Sequence, residues 1–250
     1  MSESLMSVTI DSRKLKRMDM DGPALRVIMQ SRSPVLFPLR RLARIYVLGV
    51  PQHGLESLVF CAEQRIPVAF FNFNGRLRCR LSFVQEVPAA IDHWLEHIAF
   101  DQHIKNAYRE WLLNQGLNVL SQLGVTQGAR EARVRLFSDA LRGYCRRTLG
   151  EQALKDAYEW IDGLLLVHLE QVITNFGCTH TRARQMLTDD LKPICEILLI
   201  HGLAERIHQN SGFRVDAKSM MDVYHRQSEH IEYTVRRMLI QLQIRLESII

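Results

Sequence analysis

Several familiar signatures are missing from this 250-residue sequence. No apolar run reaches the roughly 18 residues that a helical membrane span needs, so no membrane partner is expected. The first residues, through Arg17, hold no continuous apolar stretch before a small-residue cleavage site, so a secretory signal is not expected there. Cysteine is sparse: Cys61, Cys79, Cys145, Cys178 and Cys195 stand singly, and none belongs to a C-x-x-C pair. That argues against a zinc knuckle or a redox dithiol and fits reduced thiols in a cytoplasmic setting. There is no G-x-G-x-x-G, no G-x-x-x-x-G-K-[ST], no H-E-x-x-H and no G-x-S-x-G. Dinucleotide-dependent, P-loop, zinc-protease and serine-esterase chemistries therefore have no support. Repeats and low-complexity tracts are absent too.

What is present is an ordinary globular composition, 47% hydrophobic and 24% charged, with a formal net charge of +5. The length suits one large domain or two smaller ones. The excess of positive charge permits an anionic partner without demanding one.

Residues 36 to 82 are the most informative stretch. Ile45 to Leu48, bounded by Gly49, Pro51 and Gly54, reads as a buried strand. Leu55, Leu58, Val59 and Ala62 recur at helical spacing, which predicts a short amphipathic helix over Leu55 to Gln64. Pro67 ends it, and Val68 to Phe71 is a second apolar strand. Asn74-Gly75 is a turn signal. Leu77, Cys79 and Leu81 then alternate with Arg76, Arg78 and Arg80, a strand with one basic face. Upstream, short strands are expected over Ser7 to Ile10, Lys14 to Met18 and Ala24 to Gln30, with a turn at Asp21-Gly22-Pro23.

Beyond Phe83 the periodicity becomes helical. Gln85 to Pro88 reads as a linker. Ile91, Trp94, Leu95 and Ile98 share one face of a first helix. Ile104, Tyr108, Trp111, Leu112 and Leu120 mark a second, with Gly116 as a weak point and Gly124 as C-cap. A third spans Ala129 to Arg147, with Val134, Phe137, Ala140, Leu141 and Tyr144 on one side. Gln152 to Phe176 is long and strongly apolar, the natural centre of a helical core, with Gly177 as its C-cap. Thr179 to Leu187 is less regular. Pro193 suits a first helical turn, so Asp189 or Asp190 is expected to cap a helix over Ile194 to His201. In the last helix, capped by Asp216, Ile231, Val235, Met238, Leu242, Leu246 and Ile249 form a seam. That seam packs either on its own domain or on a partner helix. The expected fold class is α+β: a small β-rich domain over residues 1–84, a linker at 85–88, and an all-helical domain over 89–250.

In its linear order (Phe37-Pro38-Leu39, Ile45 to Gly49, Arg65 to Phe71, then Gly75) the first region resembles the end of the N-terminal β-domain of the CRISPR adaptation integrases, the Cas-one family. The resemblance implies a homodimer formed through the β-domains and pairing with the small Cas-two protein. It implies binding of short double-stranded DNA and joining of its 3′ ends into a repeat array. It also implies a Mg²⁺ or Mn²⁺ ion held by a His that follows a helical hairpin, an acid from a Asp-Leu helix start, and a Glu from an earlier helix. Here those residues are His180, Asp190 of Asp190-Leu191, and Glu131. In a second register a Gln-Gly pair, Gln127-Gly128, takes the place of the Glu. Such an ion activates a water or a 3′-hydroxyl for phosphodiester chemistry and favours hard oxygen donors with an imidazole.

The other constellation is basic. Arg130, Arg133, Arg135, Arg142, Arg146 and Arg147 crowd one helical segment, and Arg182 and Arg184 stand beside His180. Such residues neutralise phosphates without reading sequence. They also serve as a solvated cationic face, as Arg76, Arg78 and Arg80 do. The residue pattern leaves two functions open: a metal-dependent DNA integrase or endonuclease, and a DNA-binding or scaffold protein whose His and Asp are structural.

Overall fold

A computed structural model describes residues 5–82, 91, 92, 95, 98, 100–126, 130–210 and 212–249, without the side chains of 130 and 131. The expected linker and Trp94 lie outside the described residues. The chain divides into two compact units, Met1–Val84 and Gln85–Ile250.

The first unit is built from two sheets and one helix. Strands β1 (Met6–Asp11), β5 (Leu42–Leu48), β6 (Val68–Phe71) and β7 (Leu77–Leu81) form one sheet in the order β1-β5-β6-β7. The pairs β1·β5 and β5·β6 are parallel, and β6·β7 is antiparallel. Strands β2 (Leu15–Asp21), β3 (Ala24–Met29) and β4 (Val35–Pro38) form an antiparallel meander. The two-residue turn between β2 and β3 is possible because Gly22 sits at φ +57. Helix α1 (Leu55–Glu63) connects β5 to β6, the crossover that a parallel pair requires. Strand β6 is buried throughout, as its unbroken apolar run demands. One core serves the whole unit: Ile10, Ile45, Val47 and Val68 from the larger sheet, Met18, Leu25 and Val27 from the smaller, and Leu58 and Cys61 from α1. The basic strand departs from expectation in one respect. A register shift at Phe70/Phe71 interrupts the alternation, and Cys79, expected on the apolar face, is exposed with Arg78 and Arg80.

The second unit is helical: α2 (Gln102–Gln122), α3 (Arg130–Leu149), α4 (Glu151–Asn175), α5 (Thr181–Gln209) and α6 (Ala217–Glu247). Before α2, Ile91, Leu95 and Ile98 are buried. Helix α2 runs through Gly116. There an added Cβ would stand 3.0 Å from Val134 Cγ2, so the glycine permits a close approach of α2 and α3. Gly124 adopts φ +77, and Val125 N–H bonds Leu120 C=O at 2.9 Å, the closure expected of a left-handed C-terminal glycine. Helix α3 is peripheral: Val134, Phe137, Leu141 and Tyr144 are half-buried, but Ala140, expected among them, is exposed. Helix α4 is the centre, burying Leu154, Trp160, Ile161, Leu164, Leu165 and Ile173 among others. The seam of α6 packs within its own unit, with Ile231, Val235, Met238, Leu242 and Leu246 buried.

The largest correction concerns α5. The expected break before Pro193 does not occur; one helix runs from Thr181 to Gln209 with Pro193 inside it. Asp189 and Asp190 are interior residues of that helix and cap nothing.

Candidate functional site

The site forms where α4 turns into α5. Gly177, at φ +105, donates its N–H to Thr174 C=O (2.9 Å), and Cys178 N–H reaches Ile173 C=O (3.1 Å). This paired closure is the Schellman motif. Only Thr179 then precedes His180, the N-cap of α5, whose own side chain caps no N–H. A residue from far upstream holds the joint instead. Asp92 Oδ2 accepts the Thr179 N–H (2.9 Å), the Thr179 hydroxyl (2.9 Å) and the His180 N–H (3.2 Å). Asp92 is 3% exposed. Burial raises its pKa, but hydrogen bonds from the Cys178 thiol, from Thr179 and from the His180 N–H outweigh it and hold the carboxyl below its ordinary value. The anion also lies at the positive end of α5.

His180, Thr181, Arg182, Gln185, Met186, Asp189 and Asp190 line an open hollow of about 790 Å³. His180 and Arg182 are exposed. Asp189 accepts a hydrogen bond from Gln185 Nε2 one turn earlier (2.8 Å). Asp190 Oδ2 accepts the hydroxyl of Tyr108 on α2 (2.7 Å). Tyr108 is 5% exposed; burial, together with this bond to Asp190, pushes its phenol pKa far up, so it stays a donor. Two of the three residues implied for a metal, His180 and Asp190, are therefore brought to one surface.

The third, Glu131, lies in the first turn of α3, but its side chain, like that of Arg130, is outside the described residues. Gln127 and Gly128 are outside them as well. Among the described residues no group of three His, Cys, Asp or Glu side chains is placed to hold an ion. The donors that are present, an imidazole and carboxylates on a water-open surface, still suit Mg²⁺ or Mn²⁺. Magnesium ordinarily takes one or two protein carboxylates and completes its shell with water and phosphate oxygens.

The arginines divide. Arg142 bonds Glu196 on α5 at 2.6 Å, with its guanidinium 5.4 Å from the Tyr158 ring centroid. Arg146 pairs with Glu151 at 2.8 Å. Both tie α3 to neighbouring helices. Arg135 and Arg147 are exposed, Arg133 and Arg184 are half-buried, and among the described residues Arg182 alone of the set lines the hollow.

Two residues escaped the sequence reading. Asp92 carries no local signal, since its partners lie 87 and 88 residues away. Tyr108 shows its helical spacing, not its hydroxyl's partner.

Comparison with known proteins gives a consistent fold. No protein-family model matches the sequence, and no curated protein matches it. A CAS1 protein from Thermotoga maritima superposes with a TM-score of 0.67 at 13% identity, covering 96% of this chain and 97% of that one. A casposase bound to integration product gives 0.65 at 13% identity, covering 98% and 91%. A Cas6-RT-Cas1–Cas2 complex gives 0.63 at 12% identity, covering 99% of this chain and 35% of that one. The small β unit, the helical unit and the turn bearing His180 thus compose a Cas1-like fold, carried by a sequence only 13% identical to those of the CAS1 protein and the casposase.

Proposed function

We propose that this chain is a Cas1-like integrase-type protein that binds short duplex DNA and joins its 3′ ends into a repeat array. One observation carries the reading: within a Cas1-like fold, His180 and Asp190 share an open hollow with the cation Arg182. His180, Asp190 and Glu131 would hold Mg²⁺ or Mn²⁺, which when bound supplies a polarised phosphodiester and an activated hydroxyl or water. Asp190 is oriented by Tyr108, and His180 by its place at the end of α5. Arg182 lies where it can neutralise an incoming phosphate, and Arg135 and Arg147 add a sequence-independent, salt-sensitive grip. The structural neighbours support the partners: one is a casposase bound to integration product, another a complex that includes Cas2. A homodimer through the β units, pairing with Cas2 and a cytoplasmic location belong to the same proposal.

A second reading has its own support. The carboxylates of Asp190 and Asp189 are already engaged by the Tyr108 hydroxyl and by Gln185 Nε2, as structural carboxylates would be, which suits a member that keeps DNA binding and assembly without metal chemistry. Incubating a labelled short duplex with target DNA and Mn²⁺ separates the two. The integrase reading expects joined product that disappears with chelator, with His180→Ala and with Asp190→Ala. Tight binding without product, unchanged by either substitution, overturns it in favour of the second reading.

A further inference from the structure

In α2 and α6 the helix cap comes from the adjoining residue. Asp101 accepts the N–H groups of His103 and Ile104 inside the first turn of α2, at 2.7 and 3.2 Å. Asp216 accepts that of Ser219 in the first turn of α6, at 2.8 Å. Such caps stabilise the helix that follows them. Asp92 does something else. Its Oδ2 reaches none of the first-turn N–H groups of α5. It takes the N–H of the two residues ahead of the helix and one hydroxyl, so a single oxygen fixes Thr179 twice and His180 once.

The other end of this segment is fixed by the hydrogen bonds of Gly177 and Cys178 back to α4. The backbone between the two helices is therefore bonded at each of these four residues. An exposed side chain at its last position, His180, inherits that definition. A carboxylate is a costly group to bury for closing a turn, because its desolvation must be offset by hydrogen bonds. Its bonds to Thr179 and His180 converge on the one stretch that carries the site's imidazole.

We infer that Asp92 is a positioning residue for His180: its buried carboxylate locks the Thr179–His180 backbone and so sets where the imidazole stands over the hollow shared with Asp190. This rests on the proposal that His180 is a metal-binding residue. Asp92 itself touches neither DNA nor metal. Its role parallels the supporting groups around metal ligands, whose loss typically lowers metal affinity or activity by about 10 to 100-fold.

The test compares the full-length chain with Asp92→Asn, Asp92→Ala, Thr179→Val and His180→Ala. Folding is checked by thermal unfolding. Mn²⁺ is then titrated while the His180 imidazole C–H resonance, assigned by its loss in His180→Ala, is followed for paramagnetic broadening. In the wild-type chain Mn²⁺ broadens that resonance selectively. In folded Asp92→Asn the Mn²⁺ needed for half-broadening rises about 10-fold or more, and Thr179→Val shifts it the same way. Strand-joining kcat falls in parallel, while KM for the duplex stays within about twofold, a split that general loosening of the fold would not produce. If Asp92→Ala does not fold, the Asn and Thr179 variants decide. Broadening curves in both that superimpose on the wild type overturn the inference and leave the proposed function standing. Absence of selective broadening in the wild-type chain overturns the metal reading, and this inference with it.

Discussion

Removing a single oxygen from Tyr108 isolates the bond that ties α2 to the site. Tyr108→Phe keeps the ring, and with it the contact to Trp111 at 5.3 Å between centroids, so little packing is lost. What disappears is the hydroxyl donated to Asp190 Oδ2 at 2.7 Å. A hydrogen bond to a charged group is worth about 1.5–3 kcal/mol. Tyr108 is 5% exposed, so water does not easily take the vacated place and the upper half of that range applies. For a unit of this size each kcal/mol lowers the Tm by about 2–4 °C, giving an expected fall of about 4–12 °C in the transition of the helical unit. Calorimetry on the full-length chain reads it, and a double-mutant cycle with Asp190→Ala, which removes the acceptor, should return a coupling energy of about 1.5 kcal/mol or more. Strand joining should fall as well, because Asp190 loses its orientation. A Tyr108→Phe chain within about 0.5 kcal/mol of wild type, or strict additivity in the cycle, would refute the reasoning; surface changes ordinarily fall within that margin.

Three further outcomes follow from the geometry. Asp92 titrates below its ordinary value, so its contribution to stability is complete above the unfolded carboxylate pKa of about 3.9 and is lost as pH falls through the lower folded value; the stability gap between wild type and Asp92→Asn, measured by denaturant unfolding, should be constant near neutrality and close in acid. Burial pushes the Cys61 thiol up to about 11 and the Cys195 thiol up to about 12, and Cys145 and Cys178 are also buried and raised; a thiol reagent on the native chain should modify Cys79 alone, and Cys79→Ser should abolish labelling. Pro193 is exposed inside α5 and denies Asp189 C=O its helical donor; Pro193→Ala should raise stability by about 1–3 kcal/mol, and equal or lower stability in urea would contradict that account.

The β unit was legible because its pattern is local. Alternation, the Asn-Gly turn and the apolar runs of β5 and β6 each announce an element within a few residues. The partners of those strands were not local: nothing in Ser7 to Ile10 names Ile45 and Val47 as neighbours. Helix α4 was legible because its apolar face is continuous. Helix α5 was misread for a definite reason. A proline inside a helix costs about 3 kcal/mol, and that rule placed a boundary before Pro193. The rule omits what one continuous helix buries on both sides of the proline: Leu187 and Leu191 before it, Ile194, Ile197, Leu198 and Leu199 after it. Each such side chain contributes about 1.5–3 kcal/mol, so packing outweighs the lost hydrogen bond severalfold. At the site, His180 and Asp190 were found through a resemblance. Asp92 and Tyr108 were not, because hydrogen bonds spanning 87 and 82 residues leave no mark on spacing.

Strand β1 has a further meaning for the larger sheet. It is the outer neighbour of β5, paired from Met6↔Leu42 to Asp11↔Leu48, and β5 is buried along nearly its whole length. Between the two strands lies the entire three-stranded meander, whose own pairings are short-range. Short-range antiparallel pairs close before a parallel pair that must span them, so the meander is expected to be protected first in pulse-labelled hydrogen exchange and β1 to dock late. Until it docks, or whenever it peels away, β5 presents Ile45, Tyr46 and Val47 on an open edge, the kind of surface that recruits strands from other chains. The amino-terminal strand is in that sense a guard: clipping it would leave the other strands in place and convert a buried strand into the starting point for aggregation.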